Sequence, residues 1–330
     1  MEDEDRLYRL NGVAHVAGYI DAEKTTEYVL TRPDYTLPGT AGLYHLARLN
    51  SQWLWVDEPL LSAFIERWHP ETHTFHMPFG ECSITLQDVA YQLGLPIDGE
   101  PVSGCLTEFE NLMEQGRPAW VWIRELFGEL PPQNKVKQMT VCYTRFHERF
   151  RVLPADATDE TVRIYARAYI MMLLSSQLFA DKNANRVHLR WLPYLASLDD
   201  LGRYSWGSAA LVATFMPRND PRDQRLVSAR LSLDQLRVHD FVWEPYSSAE
   251  VGAIIHPEIL ADEHRRLWTT VTSLIYFAVI EWHQVDRVLQ QFGGLQHLLE
   301  PALNIDLLHA KDGRGGDRWF PTYYREWHQH

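Results

Sequence analysis

Helical periodicity constrains the fold of this chain more than any other feature of its sequence. In several stretches the apolar residues recur at steps of three and four, which places them on one face of an α-helix. The clearest series consists of Val136, Met139, Tyr143, Phe146 and Phe150. Similar patterns predict helices over residues 59–68, 158–180, 205–215 and 284–292. The chain is therefore predicted to be mainly α with a few short β-strands and hairpins, an α+β fold forming a compact multi-helix globular domain.

The helix predicted over residues 59–68 has a recognisable beginning. Asp57 can accept a hydrogen bond from a free N–H group of the first turn, and Pro59 fits that turn because its missing N–H costs nothing there. The apolar face of this helix is predicted to pack inward, and it consists of Leu60, Leu61, Phe64, Ile65 and Trp68.

Residues 73–84 are predicted to form a β-hairpin that leads directly into a helix. Two short β-prone runs flank residues 79–81, where glycine can supply the positive φ of a tight turn. Thr85 and Asp88 then have the spacing of a capping box, in which each side chain bonds the backbone of the other. Gly94 is placed to end the helix in a left-handed conformation.

The apolar run over residues 269–280 has a different character. It is rich in Val271, Ile275, Val279 and Ile280, which favours a buried strand, although a buried helix is compatible with the same periodicity. The helix predicted over residues 284–292 would end at the two glycines that follow.

Charge and cysteine content narrow the classes of protein. The formal net charge is -13 and only five lysines are present, which weighs against direct nucleic-acid binding. Three widely spaced cysteines suit a reducing compartment. The acidic amino terminus does not resemble a signal peptide, and the longest apolar runs are much shorter than the roughly 20 residues that span a bilayer. We therefore expect a soluble intracellular protein without a membrane partner.

A histidine cluster is the main candidate for metal chemistry. His69, His73 and His76 lie within eight residues, and neighbouring imidazoles can bind zinc. On a strand, however, residues 73 and 76 would point to opposite faces, and no cysteine pair completes a site. These histidines are weak candidates as metal ligands, and we expect structural or surface roles for them.

The sequence also lacks the motifs of a catalytic serine and of a phosphate-binding loop. Residues 206–209 lack the second glycine of a nucleophile elbow. The glycine-rich residues 312–317 lack the lysine of a phosphate-binding loop. The sequence therefore predicts no catalytic residues, no cofactor and no enzyme activity.

Five blocks in order carry a resemblance to a known family. They are residues 60–76, 80–102, 204–209, 241–246 and 281–293. Together they resemble the plant mobile domain, also called the aminotransferase-like plant mobile domain, of the Maintenance of Meristems-like proteins. The signature positions matched here are Trp68, His73, Thr74, Phe75, Thr85, Leu86, Asp88, Gly94, Leu95, Pro96, Gly99, Trp206, Gly207, Trp243, Asp286, Arg287, Phe292 and Gly293.

The resemblance implies a domain shared between plant retrotransposons and host genes derived from them. Host members are nuclear and are linked to meristem maintenance, silencing of transposable elements and control of gene expression. Some relatives carry the domain joined to a serine/threonine phosphatase of the type 7 class. This chain has no phosphatase metal-binding motif, and its lysines do not lie in the βα setting of a pyridoxal phosphate enzyme, so neither activity is expected of it.

The resemblance also divides the chain. Residues 1–40 are predicted to be an amino-terminal arm, residues 41–327 the domain, and residues 328–330 the carboxyl end. The stretch over residues 216–240 is considerably shorter than is usual in the family. We expect either a genuine deletion or a mispredicted exon at this point.

The leading interpretation is a non-enzymatic interaction scaffold of the nucleus, with a cytoplasmic location as the alternative. Its expected partners are proteins, among them a serine/threonine phosphatase of the type 7-like class, and nucleic acid would be contacted indirectly. One alternative is a transposon-derived, nucleic-acid-associated accessory protein with a basic groove built from Arg222, Arg225, Arg230 and Arg237. Another is a hydrolase or metal enzyme that uses the histidine cluster.

Overall fold

The computed structural model describes residues 42–43, 46–47, 57–103, 119–137, 140–154, 156–180, 185–215, 225–255, 259–277 and 279–299. The chain divides into two units. The first unit comprises Met1–Leu54 and Cys105–Tyr204, and the second comprises Trp55–Gly104 and Ser205–His330. The arm predicted over residues 1–40 and the carboxyl end over 328–330 lie outside the described residues. Within those residues, no helix has both the length and the apolar character needed to cross a membrane.

Helices make up most of the regular structure in the described ranges. The α-helices are α1 (Glu58–Ile65), α2 (Leu86–Leu93), α3 (Ala119–Phe127), α4 (Tyr143–Phe150), α5 (Asp159–Leu173), α6 (Leu192–Ala196), α7 (Trp206–Phe215), α8 (Arg225–Asp234), α9 (Ala249–Ile254) and α10 (Asp262–Trp268). The strands are β1 (Trp68–His69), β2 (Thr74–Met77), β3 (Gly80–Cys82), β4 (Val136–Lys137), β5 (Thr140–Cys142), β6 (Arg186–His188), β7 (Thr272–Tyr276) and β8 (Val279–His283). They form three antiparallel sheets, β1-β2-β3, β4-β5-β6 and β7-β8. The predicted fold class is confirmed.

The first unit is organised around α5. Thr158 caps this helix by accepting a hydrogen bond from the backbone N–H of Thr161. The helix continues as a π-helical turn over Leu174–Leu178, where Ser176 donates its hydroxyl to the carbonyl of Met172 at 2.7 Å. Helices α3, α4 and α6 pack against α5. The helix predicted to begin at residue 158 is thus confirmed, with its last turn widened.

The long helix predicted from Val136 is wrong in its first half. Val136 lies in β4 and pairs with Val141 of β5, and the helix begins only at Tyr143. Met139 lies outside the described residues. The β-branched valines and the pairing of β5 with β6 stabilise a hairpin here, because strand pairs gain hydrogen bonds that periodicity within one segment cannot reveal.

In the second unit, α1 begins as predicted but buries only part of its predicted face. Asp57 accepts a hydrogen bond from the backbone N–H of Leu60 at 3.0 Å, and a proline occupies the first turn. Ala63 is buried, and α8 packs against α1. Three residues predicted to face inward are instead exposed by about two fifths, namely Leu60, Leu61 and Ile65. Phe64 and Trp68 do pack against the core that includes Ala63, as predicted, although Trp68 lies beyond the helix in β1.

The hairpin and the capped helix that follow are confirmed. Met77 pairs with Gly80, so the turn lies one residue earlier than predicted, and Gly80 has a φ of 142°. Thr85 and Asp88 form the expected capping box at the start of α2. Gly94 ends the helix with a φ of 59°.

The apolar run near the carboxyl end forms two strands rather than one. β7 and β8 pair through a tight turn in which Phe277 has a φ of 53°. Residues 284–292, predicted as one helix, form two short 3-10 helices, Val285–Arg287 and Leu289–Phe292. Gly293 ends the second of them with a φ of 74°. Helix α7 packs against β7 and α2, and Trp206 at its start is fully buried.

Candidate functional site

Five polar residues of the second unit connect the first hairpin to the segment around β8 in two contacting groups, and together we call them the polar clasp. They are His73, Thr74, Glu81, Glu281 and Arg287. His73, Thr74 and Glu81 belong to the first hairpin. Glu281 lies in β8, and Arg287 lies in the 3-10 helix after it. The clasp therefore connects segments that are about 200 residues apart in the sequence.

His73 is held between two acceptors. Its Nδ1 lies 3.0 Å from the backbone oxygen of Trp282, and its Nε2 lies 2.9 Å from Oε2 of Glu281. A carbonyl can only accept, so Nδ1 carries the hydrogen of the bond to Trp282. The residue has a φ of 52°, an uncommon conformation outside glycine. His73 and Glu281 are both buried.

Glu81 and Arg287 form a two-pronged ion pair. Nε and one terminal nitrogen of Arg287 donate to the two carboxylate oxygens of Glu81, each at 2.8 Å, and Thr74 adds a third hydrogen bond at 2.8 Å. Burial raises the pKa of Glu81, but the hydrogen bonds from Arg287 and Thr74 outweigh it and lower the pKa overall. The same hydrogen bonds raise the pKa of Arg287. Both groups are therefore charged at neutral pH.

A second buried histidine ties β8 to α2. Nε2 of His283 accepts a hydrogen bond from the backbone N–H of Leu86 at 3.2 Å. Burial, followed by the nearby His73, lowers the pKa of His283 to about 3. His283 is therefore neutral at physiological pH, as its acceptor role requires.

The side-chain amide of Gln291 bonds both backbone polar groups of Ser83, at the end of the first hairpin. Its side-chain oxygen accepts from the backbone N–H of Ser83 at 2.7 Å, and its nitrogen donates to the carbonyl of the same residue at 2.9 Å. The hydroxyl of Ser83 donates in turn to the backbone oxygen of His73. Both backbone polar groups of Ser83 are thus bonded by one side chain that lies about 200 positions away in the sequence.

The three histidines considered as metal ligands are separated by the structure. The rings of His69 and His76 stack with centroids 3.6 Å apart, whereas His73 belongs to the polar clasp. Burial, and then the adjacent His69, lower the pKa of His76. Across the described ranges, no three His, Cys, Asp or Glu side chains are grouped so that they could hold a metal ion.

Several signature positions have clear local reasons for their residue type. A side chain on Gly207 would place its Cβ 2.8 Å from a methyl group of Ile97 and 3.0 Å from the carbonyl of Pro96. That carbonyl accepts the backbone N–H of Gly207 at 2.8 Å, so α7 and the loop after α2 are in direct backbone contact. A Cβ on Gly293 would lie 2.7 Å from a carboxylate oxygen of Glu244. These glycines permit close approach.

The other signature positions fall into three groups. His73, Thr74 and Arg287 belong to the polar clasp, and Thr85, Leu86 and Asp88 form the start of α2 beside it. Trp243 packs edge-on against Phe79 and Phe241, next to a core that includes Phe75. The remaining positions lie in four segments, namely β1 (Trp68), the end of α2 and the loop after it (Gly94, Leu95, Pro96 and Gly99), the start of α7 (Trp206) and the carboxyl-terminal 3-10 helices (Asp286 and Phe292).

The sequence analysis did not identify three residues of this region as candidates, namely Glu81, Glu281 and His283. The sequence does hold one signal, because Glu281 and His283 interrupt the apolar run of β8 with polar side chains. A buried strand tolerates such residues only when they are paired. Their partners, however, lie some 200 positions away.

The polar clasp has the chemistry of a group of residues that stabilises the fold. Its charges are directed at one another, and the neighbouring thiol of Cys82 is buried, which raises its pKa to about 12. A thiol with that pKa stays protonated and unreactive at neutral pH. The clasp fixes the first hairpin to the carboxyl-terminal strands.

Of the four arginines of the predicted basic groove, only the side chains of Arg230 and Arg237 lie in the described residues. Arg230 makes a two-pronged ion pair with Glu66, which neutralises its charge. The backbone N–H of Arg237 donates to the carboxylate of Asp240 at 2.9 Å at the start of a 3-10 turn. Arg222, and the side chain of Arg225, lie outside the described residues.

Comparison with known proteins identifies one family, in agreement with the resemblance seen in the sequence. The sequence profile of the plant mobile domain matches residues 42–216 and 212–329. The serine/threonine-protein phosphatase 7 long form homolog of Arabidopsis thaliana is 31% identical over 341 residues, covering 84% of this chain and 24% of that protein. Protein MAIN-LIKE 1 of the same plant is 30% identical over 320 residues, covering 82% of this chain and 60% of its own length.

Protein MAINTENANCE OF MERISTEMS, also from Arabidopsis thaliana, is 28% identical over 312 residues. The match covers 80% of this chain and 62% of that protein. This chain thus spans between about a quarter and three fifths of the lengths of these relatives. No solved structure matches the chain.

Proposed function

Because the chain belongs to the plant mobile domain family, we propose that it is a non-enzymatic interaction scaffold of the nucleus that binds protein partners. The observation that carries this proposal is the polar clasp, in which the acidic and basic groups are buried against one another. A clasp of this kind stabilises a rigid platform, since breaking a buried pair is costly.

The proposed partner is a serine/threonine phosphatase of the type 7-like class. The support for this partner is the name of one relative, the serine/threonine-protein phosphatase 7 long form homolog. The region shared with this chain is only 24% of that protein. A domain that accompanies a phosphatase within one chain is suited to contact a phosphatase from another chain. The roles in meristem maintenance and transposable-element silencing would follow from that partnership.

The proposed contact surface is the exposed side of α1. Leu60, Leu61 and Ile65 are each about two fifths exposed on successive turns of this helix. Apolar side chains grouped at helical spacing on a surface are typical of protein contacts. The ion pair between Glu66 and Arg230 lies at the end of the same helix and would belong to the polar rim.

Proximity labelling tests this proposal in plant nuclei. The full chain is fused to a biotin ligase, and the labelled proteins are identified by mass spectrometry against the nuclear ligase alone. We expect a type 7-like phosphatase among the labelled proteins and a nuclear signal from a fluorescent fusion. Labelling no different from the free ligase, or a fusion excluded from nuclei, would contradict the proposal.

Paired variants test the contact surface. Leu60→Asp with Ile65→Asp should abolish labelling of the phosphatase, because two charges would enter the contact. Leu295→Asp is the control, since Leu295 is 84% exposed on a segment away from α1. Equal labelling by both variants would rule out α1 as the contact surface. Metal analysis of the purified chain addresses the enzyme alternative, which stoichiometric zinc would favour.

A further inference from the structure

The sheet β4-β5-β6 of the first unit has an outer face that carries positive charge. Its inner row consists of Val136, Val141 and Val187, which pair across the three strands, and the last two are fully buried. Side chains alternate along a strand, so the neighbouring row faces the other way. That row consists of Lys137, Thr140 and His188.

Arg186 adds a cation to the same face, two residues before His188 on β6. Its guanidinium donates hydrogen bonds to the hydroxyl and the carbonyl of Thr140, and to the carbonyl of Lys135 at 3.4 Å. All three acceptors are neutral. In the described part of the chain, no carboxylate pairs with Arg186, Lys135 or Lys137, and both lysines are exposed.

The positive charge of this face is local. The two segments that build it, residues 130–147 and 182–198, contain no aspartate or glutamate, although the whole chain has a net charge of -13. Adjacent strands lie roughly 5 Å apart. The cations are therefore concentrated on one surface, and their potentials add.

We propose that this basic face, whose cations are Lys135, Lys137 and Arg186 beside His188, binds the phosphate backbone of nucleic acid. Lysine and arginine are residues that contact phosphate without reading sequence. An acidic peptide is the competing occupant, but peptides usually also anchor an apolar side chain. Among the described residues of this sheet, no large apolar side chain is exposed.

Three cations predict a weak, salt-sensitive interaction. Each neutralised phosphate of duplex DNA contributes about -0.9 to the slope of log K against log salt concentration, so the slope should be about -2.7. Removing the charges of Lys135 and Lys137 should reduce it to about -0.9 and weaken binding by about tenfold or more at 100 mM salt.

Fluorescence anisotropy with the full chain tests this inference. The probes are a labelled 20-base-pair duplex of mixed sequence and its single strand, titrated at several salt concentrations from 50 mM upward. The test variant is Lys135→Gln with Lys137→Gln. The matched control is Arg265→Gln with Arg266→Gln, which removes two exposed cations from α10 in the other unit and changes the net charge equally.

We expect only the lysine variant to bind DNA more weakly and to show a smaller slope of log K against log salt concentration. Its circular dichroism spectrum should match that of the wild type. Three results would overturn the inference. These are no binding to either probe at 50 mM salt, equal losses in both variants, or binding of polyglutamate with the same affinity and the same variant effect as DNA. The first two refute the basic face as a site, and the third makes an acidic polypeptide its ligand. None of them bears on the phosphatase contact at α1.

Discussion

Replacing Arg287 with glutamine should destabilise the second unit far more than the same change at Arg230. Both arginines make a two-pronged ion pair with a glutamate, so the chemistry is matched. The pairs differ in exposure. The side chains of Arg287 and Glu81 are 8% and 10% exposed, whereas those of Arg230 and Glu66 are 44% and 43% exposed. The comparison therefore isolates the effect of burial.

The expected magnitude follows from the charge that remains. Without Arg287, the carboxylate of Glu81 keeps only the hydrogen bond from Thr74 and the more distant His76, 3.6 Å away. Removing one partner of a buried pair costs about 3 kcal/mol, because the other charge is left without compensation. Water already solvates both groups of the Arg230 pair, so the same substitution there should change the free energy of unfolding little.

Urea denaturation followed by tryptophan fluorescence measures this difference. With an m-value of about 3 kcal/mol per molar, Arg287→Gln should lower the midpoint of the transition that reports the second unit by about 1 M. Arg287→Lys should fall between wild type and glutamine, because lysine keeps the charge but cannot bond both oxygens in the same way. Equal midpoints for Arg287→Gln and Arg230→Gln would refute the reasoning.

Two further predictions concern packing and pH. Gly207→Ala should destabilise the protein by about 1–3 kcal/mol, because a methyl group would overlap neighbouring atoms; Gly252→Ala, whose new methyl would meet nothing within 4 Å, should be neutral or stabilising in thermal denaturation. His283 has a folded pKa of about 3 against an ordinary value of 6.5, so the unfolded chain binds the proton first. Its contribution to stability is present above pH 6.5 and falls by about 1.4 kcal/mol per pH unit on acidification towards pH 3. His283→Gln should flatten this dependence in urea titrations at several pH values.

Features that depend on a few neighbouring residues were predictable. The capping box of Thr85 and Asp88 and the left-handed end of α2 at Gly94 involve contacts within three or four positions. The helix predicted over residues 205–215 is confirmed by α7, which begins one residue later. The family resemblance was visible in the same local blocks, and the match over residues 42–216 and 212–329 confirms it.

Features that depend on distant partners were not predictable. The inward face of α1 was predicted only in part, because α8, rather than the apolar periodicity of α1 itself, decides which side is covered. β4 was predicted as helix because its pairing partner is needed to recognise a strand. The region after β8 adopts 3-10 geometry in a segment where Gln291 also bonds the loop at Ser83.

The sequence by itself determined the fold class, the family and the ends of several elements, because these arise from periodicity and from hydrogen bonds between near neighbours. Only the tertiary structure decided which charges are neutralised. It pairs Glu81 with Arg287 across 206 positions, and it gathers Lys137 and Arg186 onto one sheet with no carboxylate opposite them in the described residues. The energy of a charge depends on its burial and on its nearest partners, and these are properties of the folded chain.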